Sequence, residues 1–261
     1  GGENIAPGET KKIELEMPPL YTATNMSIPV YVKRGKRPGP IMFVSAAIHG
    51  DELNGIEIVG RLIRSKAIER LRGTLIAVPM VNVYGVLNQS RYLPDRRDLN
   101  RSFPGSKKGS LAGRLANLFF KEVVSKCDVG IDLHTGAIHR SNLPQIRADL
   151  DDPEVLEMAK AFGVPVLLNA ELRDGSLREA ASESGVKILL YEAGQALRYD
   201  EFSIRGCNNK IAICSVEIST KGNTSSISTT NSYEISSSIW TTGTISNSWN
   251  AERSSSSIIT V

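Results

Sequence analysis

The chain has 261 residues, of which 41% are hydrophobic, and this is enough apolar material for one sizeable core. Its 31 basic and 28 acidic residues give a net charge of +3, without the concentrated positive face that a nucleic-acid groove requires. No apolar run approaches the roughly 20 residues of a membrane span. The sequence therefore argues against nucleic-acid and membrane partners.

Three cysteines, Cys127, Cys207 and Cys214, are odd in number and have no CxxC spacing. This pattern argues against a disulfide framework and against a zinc site built from cysteines. It favours a reducing, cytoplasmic setting.

Apolar, β-rich runs recur along the chain and predict buried strands at 40–48, 74–83, 128–135, 164–170 and 186–193. Helical patterns lie between them at 53–65, 110–124 and 152–163. In the first helix, one face is predicted to carry Leu53, Ile56, Val59 and Ile63. The alternation predicts an α/β fold with a mixed, largely parallel sheet flanked by helices. Functional sites in such folds gather at the carboxyl ends of the strands.

The last predicted helix carries its own start and stop signals. Asp152 is expected to cap it, Pro153 occupies the first helical position, and Gly163 follows its end.

From residue 206 the composition changes abruptly, since 23 of the last 56 residues are Ser or Thr. We therefore divide the chain into a main domain at 1–205 and a tail at 206–261. One interpretation of the tail is a small β-rich appendage, because Ile, Thr, Tyr and Trp favour strands. The other is an out-of-frame translation, because the shift is sudden and the apolar positions keep no steady period.

His49 and Glu52 lie three residues apart in AAIHGDELNG, where a buried strand leads into a helix. At such a junction both side chains can turn toward one point, as two ligands of a zinc ion require. Taken alone, the H-x-x-E pattern more often marks a polar turn, in which Asp51 would cap the following helix.

His134, in IDLHTG, also lies at the end of an apolar strand. With the first pair it completes a two-histidine, one-carboxylate set, which is typical of catalytic zinc. One of two aspartates, Asp51 or Asp132, is expected to accept a hydrogen bond from the distal N–H of a ligand histidine. The alternative for each is an ordinary aspartate in a surface turn or at a strand end. The third histidine, His139, is expected to line the site or lie exposed rather than to ligate.

Asn100 and Arg101 stand side by side in SRYLPDRRDLNRSFPG. An amide beside a guanidinium fork suits a substrate carboxylate. Arg91, Arg96 and Arg97 add positive charge nearby. A solvated, arginine-rich loop is the alternative when this stretch is taken alone.

Glu192 ends the last apolar strand, in LLYEAG. A carboxylate at the end of such a strand is costly unless it is paired or used. Beside a metal it could take the proton of the attacking water and later deliver it to the leaving nitrogen of an amide. The alternative is a glutamate that simply emerges into solvent.

Four segments, HGDExNG, RY…DLNRxFPG, DLHT and YEAG, occur in this order between about residues 40 and 206. Together they resemble the succinylglutamate desuccinylase and aspartoacylase family, relatives of the zinc carboxypeptidases with an M14-type fold. The resemblance implies one zinc ion per chain, held by His49, Glu52 and His134. It also implies that Glu192 is the catalytic glutamate.

By the same resemblance, Asn100 and Arg101 bind the substrate carboxylate, and Arg91 polarises the scissile carbonyl. The spacer between RY and DLNR is longer than in aspartoacylase itself, so Arg96 or Arg97 is the alternative for the last role. Family members often carry a C-terminal β domain that narrows the active-site entrance. The tail at 206–261 occupies that place in the chain, but its sequence does not match that domain.

The implied function is zinc-dependent hydrolysis of the amide bond of a small N-acyl amino acid or related N-acyl carboxylate. The domain at 1–205 would then be an acylase or carboxypeptidase-like catalytic domain, with the small-molecule substrate as its partner. A metallocarboxypeptidase acting on peptides and a non-catalytic zinc-binding protein are the two alternatives. The sequence leaves the oligomeric state open, a homo-oligomer included.

Overall fold

The computed structural model describes residues 2–17, 23, 25–207 and 210–211, together with the backbone of 257–260. Its strands are β1 (Thr10–Glu16), β2 (Ser27–Arg34), β3 (Arg37–Ala46), β4 (Arg72–Val78), β5 (Val129–Gly136), β6 (Asn142–Ala148), β7 (Val166–Asn169), β8 (Lys187–Gln195) and β9 (Ser257–Thr260). Its α-helices are α1 (Asn54–Arg64), α2 (Val83–Leu87), α3 (Leu111–Glu122), α4 (Pro153–Phe162) and α5 (Leu177–Glu183). A further helical segment covers 201–207.

The strands of the described residues form one sheet in the order β1-β2-β4-β3-β5-β8-β6-β7-β9. Strands β4, β3, β5 and β8 run parallel to one another, as do β6, β7 and β9. The β1–β2, β2–β4 and β6–β8 pairs are antiparallel. The predicted α/β class with a mixed, largely parallel sheet is thus confirmed.

Helices cover both faces of this sheet, and each face has its own apolar cluster. On one face, Leu62 of α1 and Phe162 of α4 pack with residues of the central strands. On the other face, Leu115 and Phe119 of α3 do the same. The central strands are therefore buried on both sides, which explains their nearly continuous apolar runs.

Helix α4 forms as its sequence predicts. The Asp152 carboxylate accepts hydrogen bonds from the backbone N–H groups of Glu154 and Val155, and Pro153 begins the helix. Gly163 ends it with a left-handed φ of 70°.

The buried face of α1 differs from the predicted one. Ile58 and Leu62 are fully buried, whereas the predicted Ile56 and Ile63 are only half-buried. Val59, which is also predicted, is buried, and the inward stripe runs through Gly55, Ile58, Val59 and Leu62. It includes Gly55, which apolar periodicity does not indicate, because the helix approaches β3 closely there: a Cβ would lie 2.6 Å from the Ala46 side chain.

Strand β4 ends at Val78, before the predicted end at 83, because the chain turns there into α2. Asn82 caps that helix, and its side-chain oxygen accepts a hydrogen bond from the Gly85 N–H at 2.8 Å.

The two interpretations of the tail concern mainly residues 212–256, which lie outside the described residues, so the division at 206 stays a prediction. The described end of the tail, β9, pairs in parallel with β7. Within the described part of the chain, no helix is long and apolar enough to cross a membrane.

Candidate metal centre and substrate cavity

The turn that follows β3 carries both His49 and Glu52. It begins with Ala47 at a φ of 52°, a left-handed conformation that costs energy in a residue with a Cβ. Asn82 holds this turn: its backbone N–H donates to the Ala47 carbonyl at 2.9 Å, and its side-chain amide donates to the Ile48 carbonyl at 3.3 Å. The surrounding fold therefore stabilises a strained turn.

Gly50 lets this turn pass close to α2. A Cβ at this position would lie 1.9 Å from the carbonyl carbon of Gly85, which no side chain tolerates. The Gly50 N–H donates to the Ser90 carbonyl at 3.0 Å. The glycine of the HGDE motif is thus required by packing rather than by its own φ.

His49, Glu52 and His134 come together as predicted, with one potential ligand atom from each within 4.8 Å of the others. His49 Nδ1 lies 2.7 Å from Glu52 Oε1, and His134 Nδ1 lies 2.8 Å from Glu52 Oε2. All three side chains are buried. Two Nδ1 atoms and one carboxylate therefore converge on the same point.

The distal nitrogen of each histidine is held by a further carboxylate. His134 Nε2 donates to Asp132 at 2.7 Å, and the hydroxyl of Ser45 donates to the other oxygen of Asp132 at 2.7 Å. His49 Nε2 donates to Asp98 at 3.1 Å. These contacts place a proton on each Nε2 and turn each Nδ1 toward the centre.

The sequence analysis identified Asp132 as one of two candidates for this contact but assigned no role to Asp98. The only sequence signal for Asp98 is that it begins the DLNR segment. Asp98 also accepts from the Asn100 backbone N–H at 2.8 Å and from Arg91 Nη2 at 3.0 Å. It thus ties the arginine-rich loop to the candidate metal centre.

Asp51, the other candidate, takes neither predicted role. Its carboxylate is buried, and its Oδ1 has no hydrogen-bond partner among the described residues. It does not cap α1, because the N-cap is Leu53 and no side chain caps the helix. Burial and the neighbouring Glu52 carboxylate raise the pKa of Asp51.

Carboxylates dominate the electrostatics of the cluster. Burial alone would lower the pKa of each imidazole, but Glu52 with Asp98 raises that of His49, and Asp132 with Glu52 raises that of His134 well above its usual value. Burial would likewise raise the pKa of Glu52, yet the two imidazoles lower it. The carboxylates thus stabilise positive charge on the two imidazoles.

This donor set fits a divalent metal ion. Each Nδ1 atom faces an oxygen of Glu52. A cation bound between these three donors would take the place of the protons that they otherwise share. Nitrogen and carboxylate donors in a two-histidine, one-carboxylate set are typical ligands of catalytic zinc. The outer carboxylates also match the partners that usually orient ligand histidines.

A cavity of about 330 Å³ opens beside the cluster. Three carboxylates line it, and each contacts a histidine or an arginine: Glu52, Asp132 and Glu192. Six arginines also line it: Arg91, Arg101, Arg140, Arg147, Arg173 and Arg178. The cavity is therefore suited to an anionic ligand.

Arg91 is the arginine of the loop that lies closest to the candidate metal centre. Its Nη1 lies 3.7 Å from Glu52 Oε1, and it forms an ion pair with Asp98. Arg96 and Arg97, the alternatives for its role, are not among the described residues that line the cavity.

Asn100 and Arg101 also line the cavity, in a short 3₁₀ turn at Leu99–Arg101. The Asn100 side-chain oxygen accepts from the Leu177 N–H at 2.9 Å, where α5 begins. Its amide N–H groups have no hydrogen-bond partner among the described residues. His139 is exposed, which is one of the two positions expected for it.

Glu192 lies in β8 and also lines the cavity. It does not simply emerge into solvent, because its Oε2 accepts from Gln145 Nε2 at 3.1 Å and lies 2.8 Å from Arg147 Nε. The sequence analysis identified neither Gln145 nor Arg147. Both lie in β6, a strand that it did not predict.

A buried two-histidine, one-carboxylate cluster at the carboxyl ends of parallel strands is the donor set typical of catalytic metal sites. The model of the succinylglutamate desuccinylase/aspartoacylase catalytic domain matches residues 38–215. The chain therefore belongs to the succinylglutamate desuccinylase/aspartoacylase family.

Individual relatives agree with this assignment. The chain is 37% identical over 171 residues to an N-alpha-acetyl-L-2,4-diaminobutyric acid deacetylase of Halomonas elongata, a match that covers 62% of this chain and 49% of the relative. The chain thus spans about half the length of that relative.

Two solved structures share the fold. A succinylglutamate desuccinylase/aspartoacylase from Rhodobacter sphaeroides is 25% identical with a TM-score of 0.71, covering 78% of this chain and 64% of the other. The product-bound ectoine utilization protein EutE (DoeB) from Ruegeria pomeroyi is 24% identical with a TM-score of 0.76, covering 83% and 69%.

Proposed function

We propose that this protein is a zinc-dependent hydrolase that cleaves the amide bond of a small N-acyl amino acid or a related N-acyl carboxylate. The observation that carries the proposal is the convergence of His49, Glu52 and His134 in one arginine-lined cavity. Family membership and the deacetylase relative support the same reaction class.

His49 Nδ1, His134 Nδ1 and the Glu52 carboxylate would hold one zinc ion per chain. Zinc in such a set supplies Lewis acidity, which polarises a carbonyl and makes water a better nucleophile at neutral pH. Asp98 and Asp132 keep the two imidazoles in the tautomer that leaves Nδ1 available.

Glu192 is the candidate general base and acid. Its Oε2 contacts β6, and its Oε1 has no partner among the described residues. Glu192 accepts a proton from the attacking water and then gives it to the amide nitrogen, so that the C–N bond breaks with a neutral amine, rather than an amide anion, as the leaving group.

Arg91 and the Asn100–Arg101 pair interact with the negatively charged groups of the substrate and of the transition state. Arg91, close to Glu52, donates to the carbonyl oxygen as negative charge develops there. Asn100 and Arg101 anchor the substrate carboxylate by the amide and the guanidinium. An anchored carboxylate fixes the amide relative to Glu192, which lowers the entropic cost of reaction.

The substrate class follows from the size and charge of the cavity. A volume of about 330 Å³ with six arginines suits a small anionic molecule better than an extended peptide. The relative from Halomonas elongata is named for an N-acetylated amino acid, which fits this class.

A panel of N-acetyl amino acids, N-succinyl amino acids and short peptides, assayed with purified protein of known zinc content, tests the proposal. We expect stoichiometric zinc and release of the free amine from small N-acyl substrates alone. Preferential removal of C-terminal residues from peptides would establish a metallocarboxypeptidase instead. Bound zinc without hydrolysis of any substrate would establish a non-catalytic zinc-binding protein.

The cysteine pattern further leads us to propose a cytoplasmic location, which cell fractionation tests directly. Light scattering of the purified chain tests whether it forms a homo-oligomer.

A further inference from the structure

Three side chains with related chemistry lie in one row across adjacent strands. His134 of β5 is the parallel partner of Glu192 in β8, and Glu192 is the antiparallel partner of Gln145 in β6. Side chains of directly paired residues project from the same face of a sheet. The row therefore runs from a candidate metal ligand through the candidate base to an amide.

Arg147 joins this row from two positions further along β6. It lies opposite Leu190, and residues two apart on a strand share a face, so its guanidinium is diagonal to Glu192. An irregularity in the β6–β8 register lies between Asn142 and Gln145, just before this pairing begins. Such irregularities re-aim side chains next to functional sites.

The two contacts on Glu192 differ in kind, although both fall on Oε2. Gln145 Nε2 donates a hydrogen bond at 3.1 Å, which has a direction. Arg147 Nε lies 2.8 Å from the same oxygen as an ion pair without hydrogen-bond geometry. Gln145 thus supplies orientation and Arg147 supplies charge.

Glu192 is also the one described carboxylate that forms an ion pair with Arg147. Other arginines surround this guanidinium: the pKa of Arg178 is lowered by burial and then by the charges of Arg147 and Arg173. A carboxylate among these cations relieves their mutual repulsion. The pair therefore stabilises both the arginine cluster and the position of Glu192.

We propose that Gln145 and Arg147 are positioning residues for Glu192: they hold its Oε2 so that Oε1 faces the reacting water and amide nitrogen. This inference rests on the proposed function, because it takes Glu192 as the general base. It gives two residues of β6 a positioning role, although none of the four sequence motifs lies in that strand.

Gln145 gives the cleaner test, because it contacts Glu192 but is not among the described residues that line the cavity. Gln145→Met removes the donor and keeps the length of the side chain. We expect kcat to fall about tenfold, since small misplacements of a catalytic group reduce the rate strongly, while KM and zinc content stay at the wild-type values. The matched control is Leu143→Met, an exposed position on the same strand, which should keep the wild-type kcat.

Arg147 lines the cavity, so its test must separate positioning from substrate binding. We expect Arg147→Gln to lower kcat with little change in KM, and Arg147→Lys, which keeps the charge, to recover part of the loss. A raised KM at unchanged kcat would assign Arg147 to the substrate and overturn its positioning role.

Crystal structures of the zinc-loaded wild-type and Gln145→Met proteins give a readout that needs no turnover. We expect the Glu192 carboxylate to move by about 1 Å or more, or to occupy two positions, in the variant. An unmoved carboxylate or an unchanged kcat would overturn the inference. Failure of the proposed function is distinguishable, because Glu192→Gln would then hydrolyse at a near-normal rate or the wild-type protein would be inert on every substrate.

Discussion

His134 of β5 and Glu192 of β8 are direct partners in the parallel register of neighbouring strands. A candidate metal ligand and the candidate general base are therefore fixed relative to each other by backbone hydrogen bonds between two buried strands. The other two candidate ligands come from the turn after β3, which is the other parallel neighbour of β5. Adjacent strand ends thus bring residues that are distant in the sequence into one site.

Replacing Glu192 by Gln should abolish most turnover and leave zinc bound. The amide keeps the shape of the side chain but accepts no proton, and general acid–base catalysis contributes about 10²- to 10⁴-fold. The measurement is kcat on the best N-acyl substrate together with zinc stoichiometry. Glu183→Gln, at an exposed position, is the control; near-normal hydrolysis by Glu192→Gln would contradict the assignment.

Replacing Asp98 by Asn should weaken zinc binding about 10- to 100-fold, because the acceptor that fixes the His49 tautomer loses its charge. Arg91 would lose one of its two ion-pair partners in the same variant and keep Glu52. The measurement is zinc affinity by competition with a chelator. Asp174→Asn, an exposed aspartate, is the matched control. Equal zinc affinities for the wild type and Asp98→Asn would contradict this role for Asp98.

The grouping of the three candidate metal ligands was predictable because each segment carries its own local signal. His49 and His134 both follow apolar runs, and the carboxyl ends of parallel strands meet at one edge of the sheet. Asp98 could not be identified in this way, since its contact with His49 spans 49 residues and depends on how the arginine-rich loop folds back. Its place at the start of the DLNR segment distinguishes it from Asp95, but does not show that it contacts His49.

The sequence analysis missed β1, β2, β6 and β9, and of these β1 and β6 have weak apolar signals. In β1, TKKIELE, only Leu15 is fully buried. In β6, polar side chains such as Gln145 and Arg147 alternate with buried ones because one face borders the cavity. Their pairing with β8 is antiparallel and depends on a register irregularity, which sequence periodicity does not reveal. The sequence alone therefore could not identify Gln145 and Arg147 as the residues that contact Glu192.

Replacing Arg101 by Ala should raise KM about 10- to 100-fold with a smaller effect on kcat, since its guanidinium is proposed to anchor the substrate carboxylate. Arg101→Lys should recover only part of the loss, because a point charge does not reproduce the planar fork. Steady-state kinetics check this, with Arg70→Ala at an exposed position as the control. A kcat loss without a change in KM would contradict the assignment.

The metal-free protein should lose stability as the pH rises. The pKa values of His49 and His134 are raised in the folded state, so their contribution is complete below the unfolded pKa of about 6.5 and disappears as the pH rises through the folded values. Zinc replaces these protons, so the increase in Tm on adding zinc should grow with pH. Thermal melts with and without zinc between pH 6 and 9 test this. A zinc-induced shift that is constant over this range would contradict it.

Replacing Gly50 by Ala should destabilise the fold and weaken zinc binding together. The new Cβ would lie 1.9 Å from the carbonyl carbon of Gly85, so the turn that carries His49 and Glu52 must move away from α2. We expect a loss of about 1–3 kcal/mol in the free energy of unfolding, as for other overpacked sites. Chemical denaturation and chelator competition measure the two effects. Gly206→Ala is the matched control, because no heavy atom lies within 4 Å of a Cβ placed there. Wild-type stability and zinc affinity in Gly50→Ala would contradict this prediction. They would mean that close packing against Gly85 does not position His49 and Glu52.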